Sequence, residues 1–303
     1  MNREVNMNVL VTGGLGFVGS HLVDKLVDEG HDVTVVDNLC SESSSRDYMR
    51  DGVTYLIEDV KHLDRMRLYP KTVFDVIYHL AAHARIQPSF KDPLKYLEND
   101  IMGTAHVCEY ARRMGAKVVY AGSSSAYGGP MLNPYAYAKY TGEQVCEMYH
   151  KVYGMSAVTA RFFNVYGDRQ PTSGPYATVV GIFEEQTKHA KPLTITGNGE
   201  QRRDFTHVSD IVNGFMALGE REWSAQVFNL GCGRNYSINE LANMFGKEKK
   251  YIPARPGEAW VTLANIFEMS EATGWSPKIT LEDYVRDWLQ TNALVNTLHR
   301  KAV

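Results

Sequence analysis

The sequence predicts an α/β protein built on a doubly wound parallel sheet, followed by a smaller α/β region. Three observations predict it. The first half alternates short β-branched apolar runs with longer amphipathic stretches, which is the pattern of βαβ units. A glycine-rich turn joins the first apolar run to the first amphipathic stretch. Near residue 167 the texture changes to the Gly/Pro/polar stretch Gly167 to Pro175.

The elements follow in order. Candidate strands are Asn8 to Thr12, Asp32 to Asp37, Val53 to Ile57, Phe74 to Tyr78, Lys117 to Ala121 and Ala157 to Arg161. Candidate helices between them are Phe17 to Glu29, Pro93 to Met114 and Pro134 to Tyr153. Strands separated by helices in this way pair in parallel and are covered on both faces. In the second region a helix is expected over Tyr176 to His189 and a strand over Pro192 to Thr196. The chain then returns to strand-like sequence at Val227 to Leu230, with helices around Ser237 to Phe245 and Leu281 to Leu289.

Composition narrows the function classes. The 303 residues are 44% hydrophobic and 22% charged, with a net charge of −3, as in folded globular proteins. No run of five or six like charges gives a footprint for nucleic acid or an anionic membrane. Cys40, Cys108, Cys146 and Cys232 are widely spaced, so neither a disulfide framework nor a zinc knuckle is signalled. Met1 to Asn6 is short and polar, and no apolar stretch approaches the roughly 20 residues a membrane span needs. A cytoplasmic protein with reduced thiols is expected.

Thr12-Gly13-Gly14-Leu15-Gly16-Phe17-Val18-Gly19 follows the first strand and opens the first helix. Glycines there let the backbone turn, approach a pyrophosphate and pack helix on sheet, while the helix N-terminus attracts phosphate charge. Glycines alone also occur in tight turns that bind nothing. Here the second strand ends in Asp37, about 20 residues on, where a carboxylate can accept from both ribose hydroxyls. Together they predict a Rossmann-type NAD site. Asp37 repels a 2′-phosphate, and Asn38 follows with no arginine nearby, which favours NAD over NADP.

Tyr135 and Lys139 lie at the start of the helix that Asn133 would cap and Pro134 would open. Four residues apart they share a face, where the ammonium can stabilise a phenolate. Such a pair is common on helix surfaces, so it needs other features beside it. The fifth strand supplies one, running out into Gly122-Ser123-Ser124-Ser125 at the ligand-binding edge of a parallel sheet. His79 and His83 are also four apart, but at a strand end, where that spacing does not bring them together, so no metal is expected.

These segments, with His79-Leu80-Ala81-Ala82, Arg161 to Gly167, Gly197 to Asp210 and Arg255-Pro256-Gly257-Glu258, resemble the extended short-chain dehydrogenase/reductase family of nucleotide-sugar epimerases and dehydratases. The resemblance spans nearly the whole chain. It implies an NAD-binding Rossmann domain over residues 1–167, with returning segments near 205–232, and a mainly nucleotide-sugar-binding domain over 168–303. For NAD it implies Gly13, Gly16, Phe17, Val18 and Gly19 at the pyrophosphate, Asp37 and Asn38 at the ribose, and Asp59 and Val60 beside adenine. Leu80, Ala81, Ala82, Asp100, Tyr135, Lys139 and Phe162 would complete that site. Ser123, Tyr135 and Lys139 would be catalytic, with Ser124 as the alternative serine. Ser123, Ser124, Asn164, Thr178, Val179, Thr194, Arg203, Arg255 and Glu258 would contact the nucleotide-sugar. A homodimer pairing Pro93 to Met114 and Pro134 to Tyr153 with their copies is also implied.

The family's shared first step oxidises the sugar at C4 while NAD accepts hydride. Family dehydratases and decarboxylases carry a carboxylate two residues after the catalytic Ser or Thr, and 3,5-epimerising members carry a cysteine in that segment. Here Ser124 and Ser125 follow. C4 epimerisation of a UDP-linked hexose is therefore expected. Another nucleotide-sugar oxidoreductase or 4,6-dehydratase, and a catalytically idle NAD-binding regulator, are the alternatives. Two departures from the family pattern stand out. The segment between Gly128 and Tyr135 has six residues, shorter than usual for a loop that helps cover the sugar. The usual Asn three residues before Gly103 is Asp100, with Asn99 just before it.

Overall fold

A computed structural model describes residues 6–41, 43–66 and 73–301, with side chains to residue 293. The chain opens with β1 (Asn8–Thr12), α1 (Phe17–Asp28), β2 (Asp32–Asp37), β3 (Thr54–Ile57) and β4 (Val76–His79). Then come α2 (Ile86–Lys91), α3 (Pro93–Tyr96), α4 (Gly103–Met114), β5 (Lys117–Ser123), α5 (Pro134–Tyr153), β6 (Ala157–Phe162) and β7 (Val165–Tyr166). The second region holds α6 (Val179–Lys188), β8 (Leu193–Thr196), β9 (Arg202–Asp204), β10 (Thr206–His207), α7 (Val208–Gly219) and β11 (Ser224–Leu230). It ends with β12 (Asn235–Ser237), α8 (Ile238–Phe245), β13 (Lys249–Ile252), α9 (Phe267–Thr273) and α10 (Leu281–Lys301).

Seven strands form one parallel sheet in the order β11-β6-β5-β4-β1-β2-β3. Its buried strands send alternate residues to opposite faces. Val9, Val11, Val76, Tyr78, Val119 and Ala121 pack with Leu22 and Leu26 of α1 and Ile211 and Phe215 of α7. Leu10, Ile77, Val118 and Tyr120 pack with Val107, Cys108 and Ala111 of α4 and Cys146 of α5. A third core joins Phe183 of α6, Leu193 and Ile195 of β8, Leu241 and Phe245 of α8, and Leu281 and Val285 of α10. The strand order reverses between β1 and β4, so a crevice opens at their carboxyl ends, where such sheets bind ligands.

The predicted strands and long helices are present, most with boundaries moved by a few residues and α10 running on to Lys301, and three differences have physical causes. The expected helix Pro93 to Met114 is interrupted by a π turn over Leu97–Met102. The wider turn sets Asp100 inward, where its Oδ1 accepts the His83 N–H at 2.7 Å. The helix expected from Tyr176 begins at Val179, because the Thr178 hydroxyl caps it by accepting from the Gly181 N–H at 2.9 Å. Ser237 likewise stands outside α8 as its cap, in a reciprocal pair with Glu240. Helix α7 and the short strands β7, β9, β10, β12 and β13 had no sequence-level counterpart. Helix α7 is buried around most of its circumference.

Candidate active site

The turn between β1 and α1 forms a backbone cradle. Gly13 has φ +73°, and a Cβ on it would lie 2.7 Å from the Ala81 N. A Cβ on Gly19 would lie 2.0 Å from the Gly13 O, whereas one on Gly16 would clear that atom at 3.4 Å. Gly16 stands at the N-cap of α1 and offers no side-chain cap, leaving first-turn N–H groups for an anion. Asp37 closes β2 with its carboxylate accepting from the Leu15 N–H at 3.0 Å and the Leu39 N–H at 2.8 Å. Burial pushes this carboxyl up, and the two N–H groups oppose that shift. Both oxygens keep lone pairs for ribose hydroxyls. The cradle, the uncapped helix end and the carboxylate fit a dinucleotide.

Two expected cofactor contacts are placed differently. The Asp59 carboxylate accepts from Asn38 Nδ2 at 3.2 Å and from the Lys61 N–H at 2.9 Å, so Glu58 and Val60 line the cleft in its place. Asp100 lies beneath the wall, where its neighbour Asn99 reaches the cleft. Its Oδ2 is buried without a hydrogen-bond partner among the described residues, and burial pushes the carboxyl up to about 6.

The catalytic candidates meet where β5 ends. Asn133 caps α5 through the Ala136 N–H at 2.8 Å, and Pro134 takes the first helical turn. The Tyr135 hydroxyl donates to Ser123 Oγ at 3.3 Å, and Ser125 Oγ donates to the same atom at 2.9 Å. Lys139 shares the face of Tyr135, but its Nζ lies over the Tyr120 ring, 4.6 Å from the centroid. Burial lowers the ammonium, while Asp100 and Glu143 oppose that shift. Glu143 is itself gripped by Arg161, with Nη2–Oε2 at 2.7 Å and Nε–Oε1 at 3.0 Å. Burial pushes the Tyr135 phenol up; Ser123 and Arg85 draw it down, and Asp100 raises it further.

The expected substrate residues come from the second region. Thr178 and Val179 stand at the start of α6, and Thr178 Oγ1 also donates to Gln170 Oε1 at 2.6 Å. Thr194 Oγ1 on β8 accepts from Gln186 Nε2 at 2.7 Å. Asn164, at φ 21°, donates to the Asp204 O at 2.8 Å. Arg203 on β9 pairs with Glu258 at 3.3 Å, so those two hold each other. Burial lowers the Arg203 guanidinium and Glu258 opposes the shift. Asn133 Nδ2 and Gln87 Nε2 donate to the Gly257 and Pro256 carbonyls at 3.0 and 2.9 Å, bringing the Arg255–Glu258 segment against α5 and α2.

One continuous cleft of about 460 Å³ runs over the strand ends, within the range of small-ligand sites. Gly13, Gly16, Phe17, Val18, Gly19, Asp37, Asn38, Val60, Leu80, Ala81, Ala82 and Phe162 line one end. Ser123, Ser124, Tyr135 and Lys139 stand mid-way, and Asn164, Thr178, Val179, Thr194, Arg203, Arg255 and Glu258 line the other end. Arg85, Ser125, Tyr176 and Gln201 line it as well, and the sequence reading missed all four. Ser125 was findable from its place beside Ser123. His79 hydrogen-bonds Thr12 and Thr104 at 2.7 and 3.0 Å, and burial pulls its imidazole down to about 3. Among the described residues no group of three His, Cys, Asp or Glu side chains could hold a metal.

A sequence profile of the NAD-dependent epimerase/dehydratase family matches residues 9–231. The chain belongs to that family. A putative UDP-glucose 4-epimerase of Methanocaldococcus jannaschii is 32% identical over 94% of this chain and 99% of its own length. The crystal structure of a Thermotoga maritima UDP-glucose 4-epimerase with UDP-glucose superposes with a TM-score of 0.88 at 30% identity, covering 95% of this chain and all of the other. A Bacillus cereus UDP-glucuronic acid 4-epimerase, solved with UDP-glucuronic acid and NAD, gives 0.85 at 29% identity over 94% of this chain and 99% of its own. The expected family and the expected fold are both borne out.

Proposed function

We propose that this epimerase/dehydratase family member inverts C4 of a UDP-activated hexose through a 4-keto sugar, with NAD as resident cofactor. The observation that carries the reading is the Tyr135 hydroxyl in reach of Ser123, mid-way along a cleft that joins a dinucleotide cradle to a pair of arginines. NAD, when bound, supplies a nicotinamide that accepts the C4 hydride and gives it back. The glycine turn at Gly13, Gly16 and Gly19 would let its pyrophosphate approach the first-turn N–H groups of α1, Asp37 would take the adenosine ribose, and Phe162 would line the cleft beside it. Tyr135 takes the proton from O4 as C4 is oxidised and returns it after the keto sugar has turned over. Ser123 shares that proton, and Lys139 holds positive charge behind the phenol. Arg203 and Arg255 suit the sugar-nucleotide diphosphate, since guanidinium forks match phosphate oxygens.

The carboxylates lining the cleft among the described residues are Asp37, Glu58 and Glu258. Asp37 and Glu58 belong to the adenosine end, and Glu258 is paired with Arg203. The residues after Ser123 are hydroxyls, with no acid placed for elimination at C5 and C6, so epimerisation is favoured over dehydration.

The division of labour follows the chain. Residues 1–167, with the segment 205–232 that supplies β11 and α7, form the NAD unit; residues 168–303 mainly form the sugar-nucleotide unit. A homodimer through α4 and α5 is supported by exposed Met102, Met114, Met148 and Val152. A cytoplasmic location fits four free cysteines and the lack, among the described residues, of a helix long and apolar enough to cross a membrane.

Incubating the purified protein with a panel of UDP-sugars and following H4 by proton NMR tests the reading. Conversion between axial and equatorial H4 is expected, with Tyr135→Phe slower by about 10²–10⁴-fold. Release of a 4-keto or deoxy product overturns it.

A further inference from the structure

Four cations line the cleft among the described residues, and the chemistry above gives roles to three of them. Asp100 and Glu143 favour the charged form of Lys139, Arg203 pairs with Glu258, and Arg255 lines the cleft in the same Arg255–Glu258 segment. Arg85 is left over. Among the described residues it pairs with no carboxylate, and the titratable groups facing it are the hydroxyls of Tyr135 and Tyr96. Its Nε donates to the Tyr176 O at 2.9 Å, which pins the side chain and leaves the two terminal amino groups unclaimed among the described residues.

The local structure fixes the segment that carries this guanidinium in the cleft it shares with Tyr135. Tyr96 donates its hydroxyl to the Ala84 O at 3.0 Å, while its ring stands edge-on to the Tyr135 ring with centroids 6.3 Å apart. The backbone before Arg85 and the phenol are thus held by one side chain. Arg85 itself has φ 89° and ψ 140°, a conformation that a side chain with a Cβ rarely adopts. Strain of this kind persists where the surroundings impose it, most often at functional sites. Arg85 is half-buried on the cleft wall, and a partly desolvated cation without a counter-charge is well placed to take an anion on the ligand.

We propose that Arg85 selects a sugar bearing a carboxylate on the carbon next to the reacting one, so that the substrate class is a nucleotide-activated hexuronic acid. This rests on the C4 chemistry proposed above. If Tyr135 takes the proton from O4, the substituent on C5 lies one ring carbon away, and Arg85, which lines the same cleft as the phenol, would be placed to meet it. A C6 alcohol offers a single oxygen there; a C6 carboxylate offers two, matching the guanidinium fork and its charge. Burial already draws Arg85 below the usual arginine value, and a paired carboxylate reverses that.

The test compares UDP-glucuronic acid with UDP-glucose on the NAD-loaded full chain, wild type, Arg85→Gln and Arg85→Lys. C4 exchange is followed by NMR and binding by calorimetry. The wild type should favour the acid. Arg85→Gln should lose about 10²-fold in kcat/KM and in affinity for the acid and less than about tenfold for the neutral sugar, with Arg85→Lys recovering part of the loss. Thermal unfolding of both variants checks that they fold. Equal losses on the two sugars place Arg85 at the diphosphate or the phenol and overturn the proposal, as does a wild-type preference for UDP-glucose. If neither sugar exchanges at C4, the C4 reading fails, and the binding arm still decides whether Arg85 recognises the carboxylate.

Discussion

At the scale of single residues, the glycine loop gives the sharpest contrast. A Cβ on Gly19 would sit 2.0 Å from the Gly13 O, inside any permitted contact, whereas one on Gly16 reaches only 3.4 Å and points into the cleft. Gly19→Ala should destabilise the fold by about 1–3 kcal/mol, seen as a lower Tm, and lose NAD binding with it. Gly16→Ala should leave Tm nearly unchanged and weaken only NAD, measured by calorimetry. These residues were legible because their signal is local: glycines after a strand, then Asp37 at the end of the next. Asn133 and Pro134 were legible for the same reason, since cap and first turn are adjacent in sequence. Arg85 was not. A lone arginine in a loop carries no spacing signal, and its neighbour Tyr135 arrives from an element 50 positions on. The Asp59 carboxylate is taken up by the Lys61 N–H and the Asn38 amide, partners that spacing in the sequence does not reveal.

Among the elements, α5 is fixed to β6 by the Glu143–Arg161 fork, whose side chains are 5% and 15% exposed. Removing one member leaves the other charge buried, so Glu143→Ala should cost about 3–5 kcal/mol in a denaturant titration. Helix α6 offers a pH test. Glu184 is buried, accepts from the Tyr284 hydroxyl at 2.8 Å, and is pushed up to about 7 from 4.5, chiefly by burial. Between those values the folded chain holds a proton that the unfolded chain has lost, so this carboxyl makes stability fall as pH rises from about 4.5 to 7. Glu184→Gln removes that slope. Its stability relative to wild type should climb across the same window and level off above it, by about 3 kcal/mol between pH 4 and pH 8. A Tm difference that does not change with pH contradicts this assignment. Long amphipathic elements such as α1 and α5 were readable in sequence because their apolar stripe repeats over several turns. Strands β9 and β12 have three residues each, too few to show alternation. The π turn at Leu97–Met102 was hidden because it keeps a helical apolar pattern while shifting one residue inward.

For the whole molecule, the parallel sheet creates a cleft at the strand ends, and the second region closes over it with β8, β9 and the Arg255–Glu258 segment. That closure was only partly legible. The sequence reading anticipated a second region and a return toward residues 205–232, but the pairing of β11 with β6 and of β13 with β8 joins segments far apart in the chain. No local pattern reports such pairings. In the proposed reaction NAD would hold the hydrogen leaving C4 while the sugar presents its other face, so that hydrogen would come back to the same carbon. The most direct measurement supplies a UDP-sugar deuterated at C4 and records the product by NMR and mass spectrometry, with no reductant added. Deuterium should be retained at C4 of the epimer through many turnovers. Loss of the label to solvent, or its appearance at another carbon, would contradict the account.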